Sequence, residues 1–287
     1  MEVIEARGLA RDFRAPLRRG TVRAVRGIDL SVGRGRVFGL LGPNGSGKTT
    51  TILMLLGLLK PTSGEARVLG RPAGHREARR RTGFLPEETR LFEFLTGEET
   101  LHFVGRLFGL PRAERRRRAD ALLERTGMAE ARGRRLATYS KGMARRIGLA
   151  QALMADPELL VLDEPTSGLD PVGNREVRDL LREEAAKGTT VLLTSHILGD
   201  VAEVCDEICI LHKGRKILAG EVGTLLADAA RLAWETDAVD EARRERVAAL
   251  LRQEGIALHG THPPTTTLEQ LFLDALEKDG DAGGALP

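Results

Sequence analysis

The most regular pattern in the chain is a set of short apolar runs that each end at glycine, polar or charged residues. The runs occupy residues 37–41, 159–162, 191–194 and 208–211. A continuous apolar run of this length predicts a strand covered on both faces, as in a parallel sheet. Helical periodicity between the runs predicts a layered α/β core.

A mostly helical segment lies between the first two runs. Thr96 and Glu99 match a capping box, in which both side chains satisfy free N–H groups at the start of a helix. An apolar stripe at helical spacing follows, made of Leu101, Val104, Leu107 and Phe108. We therefore expect a helical insertion in the α/β core, over about residues 90–155.

The pattern changes after about residue 225. A strand-like run at 232–234 precedes a helix-like stretch at 240–254, and a second capping box at 267–270 opens an amphipathic segment. This predicts a small appended domain over residues 225–287. The glycine-rich end, residues 279–287, is expected to fray.

Composition restricts the class of protein. The chain has 287 residues, of which 41% are hydrophobic and 30% charged, as in ordinary globular domains. Its net charge of +3 is small beside 44 basic and 41 acidic residues, so we expect no nucleic-acid partner. A basic run at residues 115–118 favours a solvated helix face, with anionic lipid headgroups as the alternative ligand.

The chain shows no signal for membrane insertion or secretion. Its most apolar stretch, residues 49–59, is shorter than the roughly 20 residues that span a bilayer. The N-terminus lacks the basic and apolar regions of a secretory signal, which predicts a cytoplasmic location. Cys205 and Cys209 have no metal-site companions and are expected to be reduced and buried. Any membrane role would need a partner chain.

One glycine-rich segment carries the strongest chemical signal. It follows the first apolar run, precedes an apolar helix, and fits G-x-x-x-x-G-K-T with Gly42, Pro43, Asn44, Gly45, Ser46, Gly47, Lys48 and Thr49. The glycines allow backbone N–H groups to face a phosphate at a helix N-terminus. Lys48 is expected to reach the β- and γ-phosphates, and Thr49 to ligate Mg²⁺. Thr50 completes the predicted nucleotide-binding set. The alternative is a glycine-rich turn with an incidental lysine.

Two acidic residues end the second apolar run. Asp163 is placed at the carboxyl end of a buried strand, where it could orient Mg²⁺, and Glu164 could act as the general base for an attacking water. Taken alone, the pair could be ordinary turn chemistry. His196 ends the third run and could hold the attacking water near the γ-phosphate, although an isolated histidine there is more often structural.

With these motifs in order, residues 1–224 resemble the ATP-binding cassette, or ABC, ATPases. Residues 139–143, Tyr-Ser-Lys-Gly-Met, resemble the family signature, usually Leu-Ser-Gly-Gly-Gln, and residues 167–170 resemble the loop after the second carboxylate. The resemblance implies a P-loop NTPase core with a parallel sheet, an N-terminal antiparallel β subdomain and an inserted helical subdomain, plus a small C-terminal α/β extension. It also implies that Phe13 lies under adenine.

The resemblance implies a shared site. In this family two cassettes bind head to tail, so ATP held at Lys48 of one copy would also contact Ser140 and Gly142 of the other. ATP and Mg²⁺ are the implied ligands. The implied partners are a second copy of the chain and a separate transmembrane permease subunit, which would place the protein at the cytoplasmic face of the cell membrane.

Two residues depart from the family pattern. Glu87 stands where the family has a glutamine that senses Mg²⁺ and the membrane partner, and we predict that its carboxylate still coordinates or water-bridges the metal. Lys141 replaces a signature glycine and would bring a cation near the partner's phosphates or point into solvent.

The combination of Glu87, the Tyr-Ser-Lys-Gly-Met signature and residues 268–272 resembles multidrug or antibiotic exporter cassettes. ATP-driven export is therefore the leading hypothesis. A non-transport ABC ATPase acting on ribosomes or nucleic acid is the alternative. A soluble P-loop kinase or GTPase leaves Ser140, Gly142 and His196 unexplained.

Overall fold

The computed structural model describes residues 2–14, 20–195, 198–226 and 241–253. Its strands are β1 (Glu2–Arg14), β2 (Thr21–Gly33), β3 (Val37–Leu41), β4 (Ser63–Val68), β5 (Arg71–Pro72), β6 (Thr82–Leu85), β7 (Leu159–Asp163), β8 (Thr190–Ser195), β9 (Glu207–His212) and β10 (Arg215–Glu221). Its helices are α1 (Lys48–Leu55), α2 (Arg76–Arg80), α3 (Gly97–Leu107), α4 (Arg112–Arg125), α5 (Lys141–Leu153), α6 (Pro171–Ala186), α7 (Leu198–Val204), α8 (Val222–Leu226) and α9 (Glu241–Gln253).

The central sheet has six strands in the order β10-β9-β3-β8-β7-β6. All neighbours are parallel except β10, which pairs antiparallel with β9 at one edge. The four apolar runs form β3, β7, β8 and β9, and β3 and β7 are buried along their whole length. The predicted parallel sheet is therefore confirmed, and its carboxyl edge collects the residues that follow each strand.

A second sheet, in the order β2-β1-β4-β5, is antiparallel and covers α1. It confirms the N-terminal antiparallel β subdomain that the family resemblance implies. Its apolar side forms a core with α1 and one face of the central sheet, through side chains that include Ile4, Leu9, Ile28, Ile52 and Leu192. This packing holds β2 in place beside the phosphate-binding loop.

The helical insertion consists of α3, α4 and α5, with a short 3-10 turn at Leu136–Thr138. The capping box at the start of α3 is present: the Thr96 hydroxyl accepts from the Glu99 amide at 3.2 Å, and Glu99 accepts from the Thr96 amide at 2.9 Å. Of the predicted apolar stripe on α3, Leu101 and Val104 join the core on the other face of the central sheet. The prediction was wrong for Leu107 and Phe108, which are exposed. Helix α5 returns the chain to β7.

Of the predicted C-terminal domain, the structure describes α9, which confirms the helix expected at 240–254. The strand-like run and the second capping box lie outside the described residues, so the domain boundary near 225 stays a prediction. Cys205 and Cys209 are free thiols in the core, and burial raises the pKa of each, to about 12 for Cys209. Among the described residues, no helix is long and apolar enough to cross a membrane.

Candidate functional site

The phosphate-binding loop joins β3 to α1 and is held against its surroundings by two glycines with positive φ. A Cβ at Gly42 would lie 2.2 Å from the carbonyl oxygen of Leu211, and one at Gly47 would lie 2.6 Å from that of Ala24. Neither position has room for a larger side chain, and both φ values, +146° and +106°, suit glycine. The loop between them, residues 43–45, is exposed. This open N-terminus of α1 can receive an anion.

Lys48 is the first residue of α1 and its side chain folds back over the loop. Its ammonium donates to the carbonyl oxygen of Gly42 at 2.7 Å and lies 3.7 Å from a carboxylate oxygen of Glu164. Both side chains are buried. The Ser46 hydroxyl is also buried and has no hydrogen-bond partner among the described residues. A triphosphate in the loop would supply the acceptors that these donors need.

Asp163 ends β7 and faces the first turn of α1. One of its carboxylate oxygens accepts from the Thr49 hydroxyl at 2.9 Å, and the other accepts from the Thr194 hydroxyl of β8 at 2.6 Å. Thr194 belongs to a predicted strand but was not predicted as a site residue. The Thr49 hydroxyl and the Asp163 carboxylate together present the oxygen ligands that hard divalent cations prefer.

Glu164 follows Asp163 in an uncommon backbone conformation, with φ of +54°. Its amide donates to the Thr194 hydroxyl at 2.9 Å, which helps to hold this conformation. A non-glycine residue in the left-handed region costs of order 1–3 kcal/mol, and such strain is concentrated at functional sites. The conformation turns the carboxylate toward Lys48, where a general base for ATP hydrolysis is expected.

The signature segment, residues 139–143, forms the start of α5. The Ser140 hydroxyl accepts from the Met143 amide at 3.2 Å and caps the helix, and Ser140 is itself exposed. Gly142 packs against Gly168 and Leu169 in the loop after Glu164. The main contacts of α5 are with β6, α3 and α4, whereas α1 packs on β1, β2, β4 and β7. The side chains of α5 join the core on one face of the central sheet, and those of α1 join the core on the other face.

The Lys141 side chain lies across Gly168: a Cβ at Gly168 would be 2.8 Å from Cδ of Lys141. The aliphatic part of Lys141 therefore packs on the loop that follows Glu164, while the residue remains exposed. Whether its ammonium reaches a partner's phosphate stays a prediction.

Phe13 lies near the end of β1, paired with Val22 of β2. Further along β2, the phosphate-binding loop is lined at Gly47 by the side chain of Val25 and the carbonyl oxygen of Ala24. Phe13 is 37% exposed, and the Arg11 guanidinium lies 4.7 Å from its ring centroid. An exposed aromatic ring on the strand pair beside the loop is compatible with stacking under a base.

Glu87 is exposed in the turn after β6, and its carbonyl oxygen accepts from the Arg145 guanidinium at 3.0 Å. The same guanidinium donates to the carbonyl oxygen of Glu164 at 2.6 Å, so Arg145 links this turn to the end of β7. Arg145 was not among the site residues predicted from the sequence. His196 lies outside the described residues, and its predicted role stays a prediction.

A parallel sheet that ends in a glycine-rich loop, a buried lysine and a strand-end Asp-Glu pair defines a P-loop nucleoside triphosphatase. Comparison with known proteins gives the family. The family model described as "ABC transporter" matches residues 25–167. The chain is 38% identical over 257 residues to the ABC transporter ATP-binding protein sll0415 of Synechocystis sp., covering 89% of this chain and 72% of that one.

Two further comparisons agree. The chain is 40% identical over 265 residues to the daunorubicin/doxorubicin resistance ATP-binding protein DrrA of Streptomyces peucetius, covering 91% of this chain and 78% of that one. A solved ATP-binding subunit of an ABC transporter has a TM-score of 0.73 at 28% identity, covering 96% of this chain and 99% of that one. The chain belongs to the ABC transporter ATP-binding proteins: it is an ATP-binding and ATP-hydrolysing subunit.

Proposed function

We propose that two copies of this chain close head to tail around ATP and power export through a separate membrane subunit. The observation that carries the proposal is the split of the site. One helix N-terminus, that of α1, gathers Lys48, Thr49, Asp163 and Glu164. The capped and exposed N-terminus of α5 begins at Ser140, on a helix that packs on the other face of the central sheet. A second copy can bring its Ser140 and Gly142 to the first copy's phosphates and receive the reciprocal contact.

We infer that Mg²⁺ binds with the nucleotide, because the residues present fit it. The Thr49 hydroxyl and the Asp163 carboxylate are already adjacent at 2.9 Å, and Glu87 lies in the turn that Arg145 links to β7. When bound, the cation would neutralise charge on the β- and γ-phosphates. Lys48 would hold the same phosphates, and Glu164 would accept a proton from the attacking water.

Glu87→Gln tests the metal assignment. The amide retains an oxygen ligand, so we expect the variant to keep ATPase activity within about threefold of the wild type. Glu87→Ala removes the ligand and should raise the Mg²⁺ concentration needed for half-maximal activity. Titration of ATPase activity with Mg²⁺ measures the maximal rate and the Mg²⁺ requirement of each variant. Complete loss of activity in Glu87→Gln, or an unchanged Mg²⁺ requirement in Glu87→Ala, would contradict this role.

An exposed aromatic patch supplies the surface for the membrane subunit. It consists of Phe92, Phe94 and Phe103, of which Phe94 is 69% exposed. The Phe92 ring lies 5.9 Å from that of Phe94 and 5.7 Å from that of Phe103, measured between centroids. Clustered exposed apolar side chains mark interaction surfaces. The first residue of the patch, Phe92, follows the Glu87 turn in sequence.

Phe94→Glu tests this surface, because it places a charge in the patch without touching the ATP site. We expect the isolated chain to keep its ATPase rate and to stop co-purifying with a polytopic subunit from detergent-solubilised membranes. Leu58→Glu, which also adds a charge at an exposed apolar residue, is the matched control and should still co-purify. Equal co-purification of both variants would show that the membrane subunit binds elsewhere.

The similarity to the daunorubicin/doxorubicin resistance protein supports export as the direction and a hydrophobic drug or antibiotic as the class of cargo. A ribosome- or nucleic-acid-acting ATPase remains the second candidate from the sequence, and no feature of the described residues favours it. In the proposed complex the chain lies at the cytoplasmic face of the membrane, attached through its partner.

A further inference from the structure

Arg145 is an arginine in the second turn of α5, and it is 4% exposed. It reaches away from the helix into the gap between the ends of β6 and β7. Burying a guanidinium is costly unless its N–H groups are satisfied. Burial lowers the pKa of Arg145 to about 10, against the opposing influence of Asp163, Glu164 and Glu87, whose charges favour the protonated form.

Five backbone carbonyl oxygens satisfy this guanidinium. Three belong to the end of β7 and the turn after it: Asp163, Glu164 at 2.6 Å and Pro165 at 3.2 Å. The other two belong to the turn after β6: Pro86 at 2.5 Å and Glu87 at 3.0 Å. The planar fork of an arginine presents five N–H donors in fixed directions, so it can hold two chain segments at a set separation.

The two segments have different tasks in the proposed cycle. The β7 end carries the carboxylate of Glu164, whose left-handed backbone must be held in place. The β6 turn carries Glu87 and leads to the aromatic patch. The helix that supplies the guanidinium starts at Ser140, the residue proposed to contact the other copy's ATP. One side chain therefore contacts the backbone of the proposed general base and of the turn that leads to the proposed surface for the membrane subunit.

We propose that Arg145 is a positioning residue for ATP hydrolysis, which holds the Pro86–Glu87 turn and the Asp163–Glu164 strand end in one geometry relative to α5. Displacement of the turn by a membrane subunit is thereby transmitted to the backbone of Glu164. The inference rests on the proposed role of Glu164 as general base. The guanidinium of Arg145 donates to backbone carbonyl oxygens and to the Thr89 hydroxyl.

Arg145→Lys tests the proposal in the full chain. Lysine keeps the positive charge but offers donors at a single point, so it cannot bridge both segments. We expect kcat for ATP to fall by about tenfold or more while KM changes by less than about threefold. We also expect backbone hydrogen exchange to speed up together in residues 84–90 and 162–168. Arg145→Gln, which keeps a planar donor group without the charge, is the second variant should lysine impair folding.

Arg132→Lys is the matched control, because Arg132 also bridges two segments, through Glu98 and Asp120, but within the helical insertion. It should lower stability without changing kcat. The proposal is overturned if Arg145 variants keep wild-type kcat, if only one of the two segments exchanges faster, or if Arg132→Lys reproduces the kinetic change. The exchange measurement needs no hydrolysis. If the wild-type chain does not hydrolyse ATP, the proposed function is wrong. Hydrogen exchange can then still test whether Arg145 holds the two segments together.

Discussion

Replacement of Glu164 by glutamine is expected to lower kcat for ATP hydrolysis by about hundredfold or more, the scale of general-base catalysis. The amide cannot accept the proton of the attacking water, yet it has nearly the shape of the carboxylate. ATP binding should therefore persist, and the nucleotide should remain unhydrolysed between two copies. We expect the variant to accumulate as an ATP-bound dimer, measured by light scattering after size-exclusion chromatography.

Glu130→Gln removes an exposed carboxylate far from this chemistry and is the control for Glu164→Gln. It should hydrolyse ATP at the wild-type rate and dissociate after turnover. If Glu164→Gln retains most of its activity, another residue provides the base, and the strained backbone at position 164 needs a different explanation.

Replacement of Lys48 by alanine should weaken ATP binding by about 10- to 100-fold, because charge-assisted hydrogen bonds contribute roughly 1.5–3 kcal/mol. The effect has a second cause. Lys48 lies 3.7 Å from the buried Glu164 carboxylate, so its removal leaves negative charge facing an incoming triphosphate. Titration with a fluorescent ATP analogue measures the affinity, and steady-state assays should show little hydrolysis.

Lys60→Ala is the matched control for Lys48, since it removes an exposed lysine at the other end of the same apolar segment. It should bind ATP like the wild type. Equal affinities for Lys48→Ala and the wild type would argue against phosphate binding in this loop.

Four strands of the central sheet, β3, β7, β8 and β9, were predictable because strands buried on both faces appear as unbroken apolar runs. The edge strands β6 and β10 are partly exposed and were not predicted. The antiparallel sheet left no such pattern. Strands β1 and β2 are partly exposed and their pairing shifts register between Ala6 and Leu9 and again between Arg11 and Asp12, so alternation is interrupted. This sheet was expected only from the family resemblance.

The phosphate loop and the Asp163–Glu164 pair were predictable because each follows an apolar run directly, so local sequence fixes both the residue and its place at the sheet edge.

Arg145 and Thr194 were missed because their partners are distant in sequence. A signal for Arg145 did exist. Gly148, Leu149 and Ala152 follow it at helical spacing and are buried, so Arg145 continues the buried face of α5.

The claim that each chain holds half of two sites is tested most directly by mixing two inactive variants, Lys48→Ala and Ser140→Ala. In a head-to-tail mixed dimer both lesions fall in one site, and the other site combines an intact loop with an intact signature segment. Half of the dimers in an equal mixture should be mixed, each with one intact site, so activity should recover to about a quarter of the wild-type rate. Mixed dimers that form but stay inactive, or Ser140→Ala protein that is fully active alone, would contradict the account.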